Sequence, residues 1–256
     1  MISKASLTPF YHLDPAVEKS SDEVIKEAFR SFLEQSEDYK NTYRQSHFNC
    51  AFDGYSFLGQ TDSLNQYSTD LLYSFVLSRF SSVDQFPKEF SKVLNNYWDT
   101  TIAKVKSIEE TVIKQLNIKG LQDFYERYIG HMVSCNYYPK LDLHDQSGLR
   151  LSKHVDVSLF TVFVYGASNG FTYEDGFGTL KPLHVSEHCV VFPGYFLEYI
   201  TRGKYKALPH QVDWSQHHEE RYSFAFFSLP KPKQEMVFND LEFTSETYYK
   251  AYLELF

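Results

Sequence analysis

The spacing of apolar residues changes near the middle of this chain, and that change limits what it can fold into. In the first half Val24, Ile25, Ala28, Phe29, Phe32 and Leu33 recur at helical intervals, the pattern of an amphipathic helix. Ser20 stands three residues before Glu23, the order of a capping box in which each side chain satisfies the other's free backbone N–H. A longer helix is predicted from Pro87, which is tolerated in a first turn because its missing N–H would be unpaired there. Phe90, Val93, Leu94, Tyr97, Trp98, Ile102, Val105, Ile108, Val112 and Leu116 hold its face, and Asn117 and Gly120 supply the stop. From His131 the pattern shortens to strands: HMVSCNYYP, VSLFTVFVY, EHCVVFPG, YFLEYI and RYSFAFFSL, separated by Gly, Pro, Asn or charged residues. Closely spaced strands without intervening helices predict an antiparallel barrel or jelly roll backed by the N-terminal helices. Tyr248 to Leu255 reads as a closing helix.

With 256 residues, 43% of them hydrophobic, the chain can bury a sizeable core. No repeat or linker divides it. The expectation is a single domain over 1–256: a mostly helical part over 1–125, a jelly-roll core over 126–232, and a C-terminal tail or helix over 233–256. Lys plus Arg number 25 against 33 Asp plus Glu, a net charge of −8, which lacks the general phosphate-seeking charge of a nucleic-acid binder. Cys50, Cys135 and Cys189 are too few and too far apart for a disulfide framework or a CxxC zinc site, and suggest a reducing compartment. No signal-like or membrane-spanning apolar run is visible, so the expected location is cytoplasmic, with no membrane partner. Phe and Tyr are abundant, 23 and 20. Phe52, Tyr55, Phe57, Tyr67, Tyr73, Phe75 and Phe80 read as ordinary packing between helices and barrel, with a pocket wall as the alternative.

His154-Val155-Asp156 opens the strand run. Alternate residues of a strand share a face, so an imidazole and a carboxylate there can converge on one cation. His210, 54 residues beyond Asp156, would complete a two-His, one-carboxylate face that leaves open positions, the geometry of non-haem Fe(II) oxygen chemistry. The tripeptide alone is weak: this composition yields about 0.6 H-x-D matches by chance, and His12-Leu13-Asp14 is a second one, read as a solvated loop. His217 and His218, followed by Glu219 and Glu220, are further decoys. Context separates them. Arg221 and Ser223, eleven and thirteen residues after His210, share one face of a strand, and a guanidinium fork beside a hydroxyl is a carboxylate clamp.

HVDVSLFTVF, PGYFLEYITRGKYKALPHQVDW and RYSFAFFSLP closely resemble Fe(II)/2-oxoglutarate dioxygenases of the isopenicillin N synthase and penicillin expandase type, a group that includes plant enzymes such as anthocyanidin synthase. CNYYP, from Cys135 to Pro139, and the segment from Gly54 to Trp98 extend the resemblance over about residues 50–232. It implies a double-stranded β-helix core, Fe(II) bound by His154, Asp156 and His210, and 2-oxoglutarate and O2 as cosubstrates. The distal carboxylate of 2-oxoglutarate would lie on Arg221 and Ser223, with Tyr138 supporting that clamp and Asn136 near the C1 carboxylate. Three departures stand out. The family's leading strand and helix are missing, leaving a sheet edge open or paired with another protomer; Gln211 replaces the usual Arg after the distal His; and Ser134 and Asn136 stand where expandases carry arginines.

The leading expectation is an oxygenase that hydroxylates, desaturates or cyclises a small metabolite with release of succinate and CO2, as a monomer or homodimer. Two alternatives stay open: an isopenicillin N synthase-like Fe(II) oxidase that uses no 2-oxoglutarate, and a catalytically silent jelly-roll binding protein. Arg44 and Arg79 are candidates for holding an anionic substrate. The acidic loop Asp142, His144, Asp145 is a candidate cover.

Overall fold

A computed structural model describes residues 10–12, 20–48, 52–57, 70–140, 149–165, 170–183, 189–213 and 220–255. In chain order the elements are β1 (Phe10–His12), α1 (Ser20–Leu33), α2 (Glu37–Asn41), β2 (Gly54–Ser56), β3 (Tyr73–Ser78), α3 (Trp98–Leu116), α4 (Leu121–Tyr128), β4 (Ile129–Tyr138), β5 (Leu149–His154) and β6 (Phe160–Phe163). There follow β7 (Phe171–Glu174), β8 (Leu180–Pro182), β9 (Cys189–Pro193), α5 (Tyr195–Ile200), β10 (His210–Asp213), β11 (Arg221–Pro230), β12 (Glu235–Phe238), β13 (Leu241–Thr244) and α6 (Ser245–Leu253).

The strands form a major sheet in the order β1-β9-β6-β11-β4-β3-β2 and a minor sheet in the order β5-β10-β7-β8, with a small β12-β13 hairpin beside them. From β4 to β7, and again from β9 to β11, successive strands alternate between the two sheets, the pattern of a jelly roll. The apolar inner faces of the two sheets enclose the site. β4 and β11 are its longest pair, in register from Arg221↔Tyr138 to Pro230↔Ile129.

The helical layer packs on the major sheet as its spacing requires. Ile25, Ala28, Phe29 and Phe32 of α1 are buried; the Ser20 side chain of the capping pair lies outside the described residues. Phe32 meets Phe75 and Tyr55 edge-on, with centroids 4.9 and 5.3 Å apart, so these aromatics are core packing. Tyr67 lies outside the described residues. Two strands, β2 and β3, emerge from the half read mainly as helix and extend the major sheet.

The long helix differs at its start. Pro87 precedes a 3-10 turn over Lys88–Phe90 and a widened π turn over Val93–Tyr97, and regular α-helix begins only at Trp98. Asn117, at φ 49°, ends it in the left-handed conformation that Asn tolerates. Gly120, at φ 78°, starts α4, a helix the sequence reading omits. A buried polar knot ties α3 and α4 to β4: the Tyr125 hydroxyl donates to Glu109, and His131 Nε2 lies 2.8 Å from the same carboxylate.

Two strand expectations need correction. YFLEYI is the helix α5, because its buried residues Phe196, Leu197 and Ile200 fall at helical spacing; short apolar runs do not distinguish the two states. VSLFTVFVY is a strand only over Phe160–Phe163, and Val157 to Leu159 bend away from the ladder. One end of the major sheet carries a strand that the sequence reading omits. β1 pairs with β9 there, Phe10↔Val191 to His12↔Cys189, so His12 belongs to a strand; Asp14 lies outside the described residues. Cys135 and Cys189 are buried, while Cys50 lies outside the described residues. Among the described residues no helix is long and apolar enough to cross a membrane.

Candidate metal centre

The candidate ligand set is assembled by two neighbouring strands and one irregular segment. His154 closes β5, His210 opens β10, and the two are register partners in the minor sheet. Asp156 lies two residues past the end of β5, so its direction is set by tertiary contacts, not by strand alternation. One ligand atom from each of His154, Asp156 and His210 falls within 4.8 Å of the others. Asp156 Oδ1 is 3.3 Å from His154 Nε2 and 3.6 Å from His210 Nε2.

Second partners fix which atoms face inward. His154 Nδ1 donates to Ser152 O at 2.7 Å, and His210 Nδ1 to Leu208 O at 3.0 Å. With Nδ1 holding a proton, each ring in its neutral form presents a lone pair on Nε2, the state a metal ligand requires. Asp156 Oδ2 is held by the Thr161 hydroxyl at 2.6 Å, and Ser158 donates to Thr161 in turn at 2.8 Å. Oδ1 is left for a cation. His210 stacks on Phe171 and meets Phe192 edge-on, both with centroids 5.0 Å away.

Burial would raise the Asp156 carboxyl, but His210, His154 and the Thr161 hydroxyl outweigh it and hold it below the ordinary carboxylate range. Burial, reinforced by His154, pushes His210 down to about 4. Burial acts on His154 in the same direction, yet its hydrogen bond to Asp156 prevails and holds it above its ordinary value. The donor set is two imidazoles and a carboxylate with no thiolate, which suits a divalent first-row metal such as Fe(II).

Asn136, Tyr138, Arg221 and Ser223 line the same cavity as the three ligands, with Leu151, Phe163, Phe171, Val212, Ala225 and Phe227 as apolar walls. The Arg221 guanidinium carbon stands 4.1 Å from the Tyr138 ring centroid. Its Nε and Nη1 are buried and meet no acceptor among the described residues. Burial lowers the guanidinium from its ordinary range, and Tyr138 offsets part of that. A buried cation with unused donors is a site for an anion. Asn136 makes a long 3.5 Å contact to Ser223 and accepts from Ser134 at 3.0 Å. Gln211 turns away from the cavity and donates to Asp213 at 2.6 Å.

Other candidates are placed elsewhere. Arg79 is engaged by Asp99 and the Leu94 carbonyl, and Arg44 donates to Asn41 and lies over Phe57; neither lines the cavity. Asp142, His144, Asp145, His217, His218 and Glu219 lie outside the described residues. A wider cleft on the helical layer, lined by Tyr39, Tyr43, Asp84 and Lys88 among others, contains none of the candidate ligands.

Gly194 escaped the sequence reading, in which it only punctuated a strand. A Cβ there would lie 2.2 Å from Ser158 O and 2.9 Å from Asp156 O, so α5 can reach the Asp156 segment only if this residue is glycine. Gly194→Ala is expected to cost about 1–3 kcal/mol, as overpacking does, and to weaken metal binding by displacing that segment. Thermal unfolding together with metal titration checks it, and an unchanged Tm would show that the contact relaxes freely.

Residues 129–230 match the 2OG-Fe(II) oxygenase superfamily, the likeness that the motifs led us to expect. The match takes in β4 through β11, every strand that lines the cavity. Leucoanthocyanidin dioxygenase of Malus domestica is 27% identical over 159 residues, 57% of this chain and 43% of that protein, so the match spans less than half of the relative's length. In overall fold the chain is similar to a full-length Neurospora crassa protein crystallised in complex with alpha-KG, with TM-score 0.74, 17% identity, and 96% and 85% of the two chains covered. JOX2 in complex with 2OG, Fe and JA gives a TM-score of 0.75 at 20% identity, covering 98% of this chain and 79% of that one. The rice dioxygenase for auxin oxidation gives 0.70 at 18%, covering 99% and 87%.

Proposed function

We propose that this protein is a non-haem Fe(II)- and 2-oxoglutarate-dependent oxygenase that hydroxylates, desaturates or cyclises a small molecule. The observation that carries the reading is the pairing, in one cavity, of the His154–Asp156–His210 set with an Arg221 whose buried Nε and Nη1 meet no acceptor among the described residues. Fe(II), 2-oxoglutarate and O2 together would supply the power to oxidise an unactivated C–H bond. His154 and His210 offer Nε2 and Asp156 offers Oδ1, each oriented through its other polar atom. Arg221 and Ser223 receive the distal carboxylate of 2-oxoglutarate, with the Tyr138 ring under the guanidinium and Asn136 toward the C1 end. Phe163, Phe171, Ala225 and Phe227 keep the space dry, which strengthens every charge interaction inside it. Small molecules are bound by proteins of the same fold: the Neurospora crassa protein has been crystallised with thymine and JOX2 with JA.

The test is anaerobic titration of the apoprotein with Fe(II) and then 2-oxoglutarate, followed by visible absorption. A weak charge-transfer band that appears only when both are present is the expected result. Iron binding without the band would favour an oxidase that places a substrate carboxylate on Arg221. No iron binding would end the oxygenase reading.

A further inference from the structure

Asp156 sits on backbone that no strand ladder holds, yet every carbonyl from Val155 to Leu159 accepts a hydrogen bond. The start of α5 supplies three of them: Tyr195 N donates to Asp156 O at 2.7 Å, Phe196 N to Ser158 O at 3.0 Å, and Gly194 N to Leu159 O at 3.1 Å. These N–H groups belong to the first turn of a helix, where no intrahelical acceptor exists. The two remaining carbonyls point the other way, toward α6. Tyr252 donates its hydroxyl to Val155 O at 3.0 Å, and the Tyr248 hydroxyl donates to Val157 O. The two tyrosines are four residues apart and so share one face of α6. Both are fully buried, and the carbonyls they reach flank Asp156 on either side.

We propose that Tyr248 and Tyr252 are positioning residues for the metal-binding carboxylate: α6 braces the Asp156 segment against α5 so that Oδ1 stays aimed at the two imidazoles. The inference rests on the oxygenase reading only in taking Asp156 as a ligand. The brace acts through the backbone. Its loss leaves all three ligand side chains present and lets the segment between the two helices shift. Losing a group bonded directly to a ligand commonly weakens metal affinity about 10–100-fold; these hydroxyls act one step further out, through the carbonyls of Val155 and Val157, so the low end of that range is expected.

The experiment titrates Co(II), which does not turn over with O2, into folded protein and follows its visible absorption. Tyr252→Phe and Tyr248→Phe are each expected to raise the Co(II) Kd about tenfold, while circular dichroism stays that of the folded protein. Tyr249→Phe is the control. Its hydroxyl comes from the same helix but donates to Pro230 O at 2.6 Å, away from the Asp156 segment, and its removal should leave the Kd unchanged. Wild-type affinity in the folded Tyr252→Phe protein would overturn the proposal, as would an equal loss in Tyr249→Phe, which would signal general loosening. If Tyr248→Phe fails to fold, the Tyr252 and Tyr249 pair still decides. A wild-type protein that binds no Co(II) would sink the metal-centre reading itself and take the brace with it.

Discussion

Asp156→Ala should abolish iron-dependent turnover and weaken metal binding by more than about 100-fold, the upper end of what losing a mere partner of a ligand costs. Oδ1 is the atom that faces both Nε2 lone pairs, at 3.3 and 3.6 Å, and alanine offers no replacement. The fold should survive. The backbone around residue 156 is held by α5 and α6, Thr161 keeps its bond to Ser158, and both imidazoles keep their carbonyl partners. Metal titration and 2-oxoglutarate consumption, with circular dichroism as the check on folding, decide the matter. Undiminished turnover would remove Asp156 from the ligand set.

Arg221→Ala separates the clamp from the scaffold. Losing one partner of a buried, hydrogen-bonded charge pair costs upward of about 2 kcal/mol, so the concentration of 2-oxoglutarate needed for half-maximal turnover should rise about thirtyfold or more. Metal affinity should stay near wild type, because Arg221 makes no hydrogen bond to His154, Asp156 or His210 and stacks on Tyr138. Arg221→Lys should fall between the two: it restores a point charge but not the planar fork that meets a carboxylate with two parallel bonds. A metal affinity that collapses along with the 2-oxoglutarate requirement would make Arg221 a structural residue.

The parts of the site that were legible in the sequence are those whose chemistry is carried by residue type and strand alternation. Arg221 and Ser223 fall on one face of β11, opposite Tyr138 and Asn136 of β4 in register, and His210 stands beside His154 across β5 and β10. The spacing of H-x-D led to residues that the structure brings together, but by an incomplete route, since Asp156 lies beyond the strand and is aimed by Thr161, α5 and α6. Those supports left little trace. Thr161 is one hydroxyl in an apolar run, Gly194 resembles any turn glycine, and Tyr248 and Tyr252 look like routine helix aromatics until their hydroxyls are followed to the carbonyls. Helix α5 was misread because six residues are too few for periodicity to separate helix from strand. The edge strand β1 went unseen because three residues carry no pattern at all.

The alternation of strands between the two sheets has a thermodynamic consequence. His154 and His210 are adjacent in space but far apart along the chain, and the three ligand atoms converge only once the roll has closed. An unfolded chain offers no such site, so a metal ion held there would bind the folded chain only. Its binding free energy accrues to the folded state alone, and each tenfold excess of free metal over its Kd adds about 1.4 kcal/mol to that state.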